Sequence, residues 1–263
     1  MDRKGSLTIV GTGIKLSDHL TKESLTEIKT ADKVFAVVAD SATFHWLKSL
    51  NSNVESLQAF YGEEKDRLET YQQMVDTIAE SVIDGYKTCA IFYGHPGIFV
   101  LPSHKVIKKL QNSGYSAKML PAISADACLF ADLGVDPARD GCQSYEATDF
   151  LLFNRTIDPS VACVMWQVGV IAEFNARSVS STDQRFGVFV DELEKYYPKD
   201  HLVTLYEAAQ FGIFEYKIIE VTVEGLRKTK ISTISTLYIP AAKKKTLNLE
   251  MANRLQIDIA RFA

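Results

Sequence analysis

A short apolar run, Cys89-Ala90-Ile91-Phe92, passes without a break into Tyr93-Gly94-His95-Pro96-Gly97. Such a run reads as a buried strand. Two glycines and a proline in quick succession end it and leave the backbone open to close approach. In an open α/β sheet, ligands bind beyond the carboxyl ends of the strands, where this loop falls. The same spacing also serves a tight strand-to-helix turn with no ligand, so the rest of the chain has to decide. Ser6–Val10 repeats the pattern as a first strand followed by Gly11-Thr12-Gly13. That turn lacks the third glycine and the acidic partner of a dinucleotide fingerprint. Thr21–Ala31 has a capped start and reads as a helix, and Lys33–Val38 as a second strand. Strand, helix and strand in succession imply a parallel sheet.

Glu63–Asp84 is the longest periodic segment. Leu68, Tyr71, Val75, Ile78 and Val82 alternate steps of three and four and form one apolar stripe, with Gly85 as the stop. Arg67 and Tyr71, four apart, share a helix face, and Tyr61 lies just outside the helix start. Taken alone, Tyr71 reads as a core tyrosine and Arg67 as a surface charge. Ser103–Asn112 then reads as a helix, Ala117–Leu120 as a strand and Asp126–Leu133 as a helix. Ser124 is either its N-cap or a hydroxyl offered to a ligand. Composition changes near residue 120, which divides the chain into domains 1–120 and 121–242. The second half carries expected strands at Ala147–Phe153, Val161–Val168, Leu202–Glu207, Tyr216–Val221 and Thr236–Ile239, and a helix at Asp183–Tyr197 before Pro198. Its richness in strands suggests a mixed sheet. In the tail, 243–263, Leu247, Met251, Leu255 and Ile259 recur at helical spacing, as expected of a segment covering apolar surface on its own subunit or a partner.

At 263 residues with 46% hydrophobic and 24% charged, the composition is that of a globular protein with ample core. A net charge of −4, with Lys243-Lys244-Lys245 the one basic run, argues against nucleic acid as a partner. Cys89, Cys128, Cys142 and Cys163 show no zinc spacing, and no metal is expected. No signal peptide and no membrane-spanning run is visible, so the expected location is cytoplasmic and no membrane is involved.

Taken in order, IVGTGI, IFYGHPGIF, PAISADA, MWQVG, LYEAA and TLYIPA give a chain that resembles, over about residues 6–242, the tetrapyrrole methylase superfamily of S-adenosylmethionine-dependent enzymes. The resemblance implies a two-domain α/β fold, each domain a mostly parallel or mixed sheet flanked by helices, with the cofactor in the interdomain cleft. Ile14 and Lys15, Tyr93 and His95, and Ala122 depart from the tetrapyrrole-methylating pattern. FYGHPG, with Tyr61, Arg67 and Tyr71 upstream, resembles instead the borosin peptide-backbone α-N-methyltransferases, which methylate main-chain amides of a ribosomally made precursor. Many of these carry the precursor as a C-terminal extension. The sequence here ends shortly after the methylase-like core, so the expectation is the split form, with a separate precursor peptide as substrate and a homodimer as the assembly.

The resemblance implies cofactor contacts from Tyr93, His95, Ile98, Phe99, Ser124 and Ala125, and from Gln167, Tyr206, Ala209 and Thr236, with S-adenosylhomocysteine as the product. The chemistry suits the residues. An amide nitrogen is a poor nucleophile, because its lone pair is delocalised into the carbonyl. It has to lose its proton, or gain imidate character, before it attacks a methyl group. A phenolate serves as the base if its pKa falls below the ordinary ~10, and a neighbouring arginine lowers it. Tyr71 is the expected base and Arg67 its electrostatic organiser. Tyr61 or Tyr93 would hydrogen-bond the carbonyl oxygen as charge develops there, and the division among the three tyrosines stays open. The alternatives are a methylase of a tetrapyrrole or other small ring, and a catalytically silent S-adenosylmethionine-binding module.

Overall fold

The computed structural model describes residues 4–38, 40–62, 65–175 and 183–262. The described residues fall into two compact units. The first comprises 4–135 with 173–175 and 207–217, and the second 136–172, 183–206 and 218–262. The division comes fifteen residues after the expected boundary near 120, and two short segments of the second half return to the first unit.

The first unit runs β1 (Ser6–Gly11), α1 (Lys22–Thr30), β2 (Lys33–Val37), α2 (Ser41–Leu50), β3 (Val54–Ser56), α3 (Arg67–Ile83), β4 (Lys87–Phe92), α4 (Leu101–Asn112), β5 (Ser116–Met119) and α5 (Ala125–Leu133). The strands form one parallel sheet in the order β3-β2-β4-β1-β5. The apolar runs are continuous because both faces are covered. Leu7, Ile9, Ala90 and Phe92 face Met74 and Ile78 of α3 and Val106 and Leu110 of α4. Val10, Cys89 and Ile91 pack on the other face with Ile28 of α1 and Leu47 of α2. Chain leaving β1 goes towards β2, and chain leaving β4 goes the opposite way, towards β5. Two crossovers running in opposite directions put the topological switch point between β1 and β4.

Asp66 caps α3, its Oδ1 accepting the Leu68 N–H at 2.6 Å, and Gly85 ends it at φ +93°, a left-handed conformation that glycine adopts without penalty. Glu63 and Glu64, the expected start of this helix, lie outside the described residues. Val75, Ile78 and Val82 are buried as the stripe requires, whereas Leu68 is 57% exposed. Thr70 and Met74 complete the inward face instead, and the Thr70 hydroxyl donates to the Phe60 carbonyl at 3.2 Å.

The second unit contains α6 (Pro137–Asp140), β6 (Cys142–Glu146), α7 (Ala147–Leu152), β7 (Ala162–Trp166), α8 (Asp183–Leu193), β8 (Leu202–Glu207), β9 (Lys217–Thr222), β10 (Thr236–Ile239) and α9 (Leu249–Arg254). Its sheet has the order β6-β7-β10-β8-β9 and is mixed, β6 lying parallel to β7 and β10 antiparallel to both β7 and β8. One expected strand is a helix. Over Ala147–Leu152 the buried positions are Ala147 and Phe150, three apart on one helix face, and Glu146 Oε2 caps the turn by accepting the Asp149 N–H at 2.7 Å. The strand lies just upstream, at Cys142–Glu146. Phe150, Phe186 and Phe189 meet edge-on and tilted at the centre of this core. In the tail, α9 forms, but Leu247, Met251, Leu255 and Ile259 are exposed. The stripe therefore does not cover the surface of its own chain, and Ala252 is the residue of α9 that packs inward.

Phe189→Ala, at a fully buried ring, is expected to lower the unfolding free energy by about 3–5 kcal/mol, and Phe153→Ala, at a ring 65% exposed, to change it little. Denaturant unfolding followed by circular dichroism checks both.

Candidate functional site

Three loops converge at the carboxyl ends of the central strands of the first unit. The Gly13 and Gly94 backbones exchange hydrogen bonds of 3.2 and 3.1 Å, which ties the loop after β1 to the loop after β4. Gly11 leaves no space for a side chain. A Cβ there would lie 2.1 Å from the Gly94 oxygen, 2.7 Å from the Ala122 Cβ and 2.8 Å from the Pro96 Cδ. The GTG, YGHPG and PAIS segments therefore meet at one point, over the switch between β1 and β4.

Most of the expected cofactor residues of this unit stand around that point. Tyr93, Ile98 and Phe99 are exposed, and Phe99 holds φ at +56°, a strained value for an aromatic residue and one that collects at functional loops. His95 turns its ring back to its own loop, where Nδ1 accepts the Gly97 N–H at 3.0 Å. Although Tyr93 as a whole is 43% exposed, its phenol end is shielded from water, which pushes its pKa up to about 12, with the Gln210 side chain opposing the rise. Ser124 sits at the N-cap position of α5 but caps no backbone N–H, its hydroxyl turning to Asp126, while Ala125 opens the helix. Ala209 is buried on the returning segment, beside Gln210.

Gln167, Tyr206 and Thr236 belong to the second unit. Gln167 follows β7 in a left-handed conformation, φ +59°, and Tyr206 and Thr236 are buried neighbours directly paired across β8 and β10.

The expected catalytic residues form a second group. Tyr61 and Tyr71 lie close enough together, and to Arg67, for both neighbours to perturb the Tyr61 phenol. Burial raises the Tyr61 phenol well above its ordinary value and Tyr71 raises it further, while the Arg67 charge opposes both. Tyr61 therefore keeps its proton. Arg67 is anchored from afar, its Nη2 donating to the Asn175 carbonyl at 3.0 Å, where Asp66 and Asn175 form an antiparallel bridge. Tyr61 is fixed through its neighbour, because the Phe60 carbonyl accepts both Lys65 Nζ at 3.0 Å and the Thr70 hydroxyl. Tyr93 lies on the loop after β4, beside Gln210.

These loops suit a nucleoside carrying a sulfonium better than a dinucleotide. Aromatic and aliphatic side chains lie open beside bare glycine backbone. The N–H groups of Ile14, Lys15 and Leu16, which would otherwise cradle a phosphate, are already taken by His19 Nδ1 and the Gln210 carbonyl. Among the described residues no group of three His, Cys, Asp or Glu is placed to hold a metal ion. His19, Gln210 and Asn175 escaped the reading of the sequence. No local pattern marks them, since each acts through a backbone group or on one.

A family profile described as Tetrapyrrole (Corrin/Porphyrin) Methylases matches residues 6–162. The chain is 42% identical over 257 residues to a methyltransferase/ribosomally synthesized cyclic peptide gymnopeptides precursor of Gymnopus fusipes, covering 96% of this chain and 61% of that one. It is 41% identical over 268 residues to a methyltransferase/ribosomally synthesized type I borosin cyclic peptide precursor of Coprinopsis marcescibilis, covering 98% and 68%. The chain thus spans about three fifths of the Gymnopus relative. In structure it is similar to the uroporphyrin-III-C-methyltransferase of Thermus thermophilus, with a TM-score of 0.65 at 14% identity over 97% of this chain and 98% of that one, which is a likeness of fold.

Gly11→Ala places a methyl group against backbone on one side and two side chains on the other. The expected outcome is a drop in thermal midpoint together with loss of the stabilising shift expected from S-adenosylhomocysteine in the unaltered protein, both read by differential scanning fluorimetry.

Proposed function

The chain belongs to the tetrapyrrole (corrin/porphyrin) methylase family, alongside the borosin methyltransferase precursors, and from that premise we propose that it is an S-adenosylmethionine-dependent methyltransferase acting on backbone amide nitrogens of a precursor peptide. The observation that carries the peptide part is the hydroxyl pair of Tyr61 and Tyr71 beside Arg67. Ring methylation has no evident need for such a set, whereas deprotonating an amide does.

Bound S-adenosylmethionine supplies an electrophilic methyl group. Everything else falls to the chain. Tyr93, Ile98, Phe99 and the glycine backbone of the two loops bind and orient the cofactor. Tyr71, in ionised form, accepts the amide proton. Tyr61, held protonated nearby, and the Arg67 charge, which Asn175 holds in place, are the groups beside it. As the proton leaves, negative charge moves to the amide oxygen, and the remaining neutral phenol, Tyr93, is a donor for it. Shielding of its hydroxyl end keeps this group protonated through the neutral range. Alignment of nitrogen with the methyl group contributes alongside the base.

The names of the relatives join enzyme and precursor in one protein, while supply of the precursor in trans belongs to this proposal, so the experiment offers the peptide both appended and separate. The homodimer and a cytoplasmic location belong to it as well. The four free thiols agree with a reducing compartment.

Intact-mass spectrometry of the peptide after incubation with S-adenosylmethionine tests the reading, gains in steps of one methylene being the expected result. Tyr71→Phe and Arg67→Ala are expected to slow transfer by about a hundredfold or more while cofactor binding holds, and Tyr61→Phe by about tenfold or more. Transfer to an uroporphyrinoid ring with none to peptide would overturn the proposal in favour of the ring methylase. Cofactor binding with no transfer to either would favour the silent module.

A further inference from the structure

The turn after the first glycine loop folds back on a histidine. The Ile14 and Lys15 N–H groups both donate to Nδ1 of His19, at 3.3 and 3.1 Å. The next N–H, that of Leu16, donates to the Gln210 carbonyl at 2.9 Å. Three consecutive backbone donors thus end on two acceptors. Gln210 also holds the Tyr93 phenol through its side chain, so one residue braces both loops. His19 packs under the point where they are tied, since a Cβ on Gly13 would lie 2.2 Å from the His19 Cβ. Gly13 in turn exchanges its two hydrogen bonds with Gly94.

We propose that His19 is a positioning residue for the cofactor, its neutral Nδ1 acting with the Gln210 carbonyl to set the path of residues 13–16 and, through Gly94 and Gln210, the place of Tyr93. The inference rests on the reading of these loops as the S-adenosylmethionine site. An imidazole accepts at Nδ1 only when that nitrogen carries no proton, so the working tautomer bears its hydrogen on Nε2, and the imidazolium cannot serve. The groups around the ring leave it neutral at pH 7. Burial lowers its pKa most, and Lys15 lowers it further. Asp18 on the same turn and Asp132 of α5 raise it without reversing the direction. A folded-state pKa below the ordinary 6.5 gives a contribution that is fully present above 6.5 and is lost as pH falls through the folded value.

The test pairs calorimetric binding of S-adenosylhomocysteine with hydrogen exchange of the Ile14, Lys15 and Leu16 amides, both across pH 5 to 8. In the unaltered protein these amides should be protected at pH 7.5, and protection and affinity should fall together on the acid side. His19→Leu should weaken binding by about tenfold at pH 7.5 and raise the KM for S-adenosylmethionine with a smaller change in kcat. His19→Asn, whose Oδ1 offers an acceptor near the position of Nδ1, should restore affinity to within about twofold and remove the acid-side loss. Wild-type affinity in His19→Leu would overturn the proposal, as would a retained acid-side loss in His19→Asn. Failure of the unaltered protein to bind at any pH would overturn the cofactor reading and the positioning role with it. Protected amides in that case would mark the clasp as a purely structural one.

Discussion

The pair of hydrogen bonds between Gly13 and Gly94 is the constraint on which the site depends. Parallel strands end in separate loops that have no intrinsic reason to meet, and each loop leaves backbone donors and acceptors to be satisfied. Joining the two glycines satisfies these groups and fixes the loops over the switch point between β1 and β4. The cost is steric. Gly11 and Gly13 tolerate no side chain, and Gly13 and Gly94 both hold positive φ. What remains between the loops is bare backbone flanked by Tyr93, Ile98 and Phe99, which suits an uncharged nucleoside with a cationic sulfur.

The groups that would perform the chemistry are held by distant parts of the chain. Arg67 relies on the Asn175 carbonyl, 108 residues away, and Tyr93 on Gln210. Both anchors lie on segments that leave the second half of the sequence to join the first unit. An arginine left to solvent would screen poorly and wander. Tethered at 3.0 Å, it presents its charge at a fixed place beside a buried phenol, where electrostatics act more strongly than in water. Burial and Tyr71 raise the Tyr61 phenol and Arg67 opposes them, with the balance leaving Tyr61 protonated beside Tyr71.

The parts legible in the sequence were those governed by local physics. The strands at 6–11, 33–37, 87–92, 202–207 and 236–239 announce themselves as apolar runs. Helical spacing puts Arg67 and Tyr71 on one face with Tyr61 beside them, but only the resemblance to the borosin enzymes marks the three as a set. Ala147–Leu152 failed because a short run containing Phe150 fits strand and helix equally, and the deciding contact is a side-chain cap from Glu146. Leu68 failed because Thr70 has a carbonyl to bind at the inward face. His19, Asn175 and Gln210 were illegible for a different reason. Their roles run through backbone atoms or across long separations, and a backbone carbonyl leaves no mark on residue identity.

The most direct test of the account is where the methyl group goes. Incubation of the protein and a candidate precursor peptide with S-adenosylmethionine carrying a 13C-labelled methyl group, followed by fragmentation of the peptide, locates the label residue by residue. The account predicts label on backbone nitrogens, independent of which side chains flank them. Label confined to side-chain atoms would contradict it, because the paired phenols and the tethered arginine would then have no amide proton to remove.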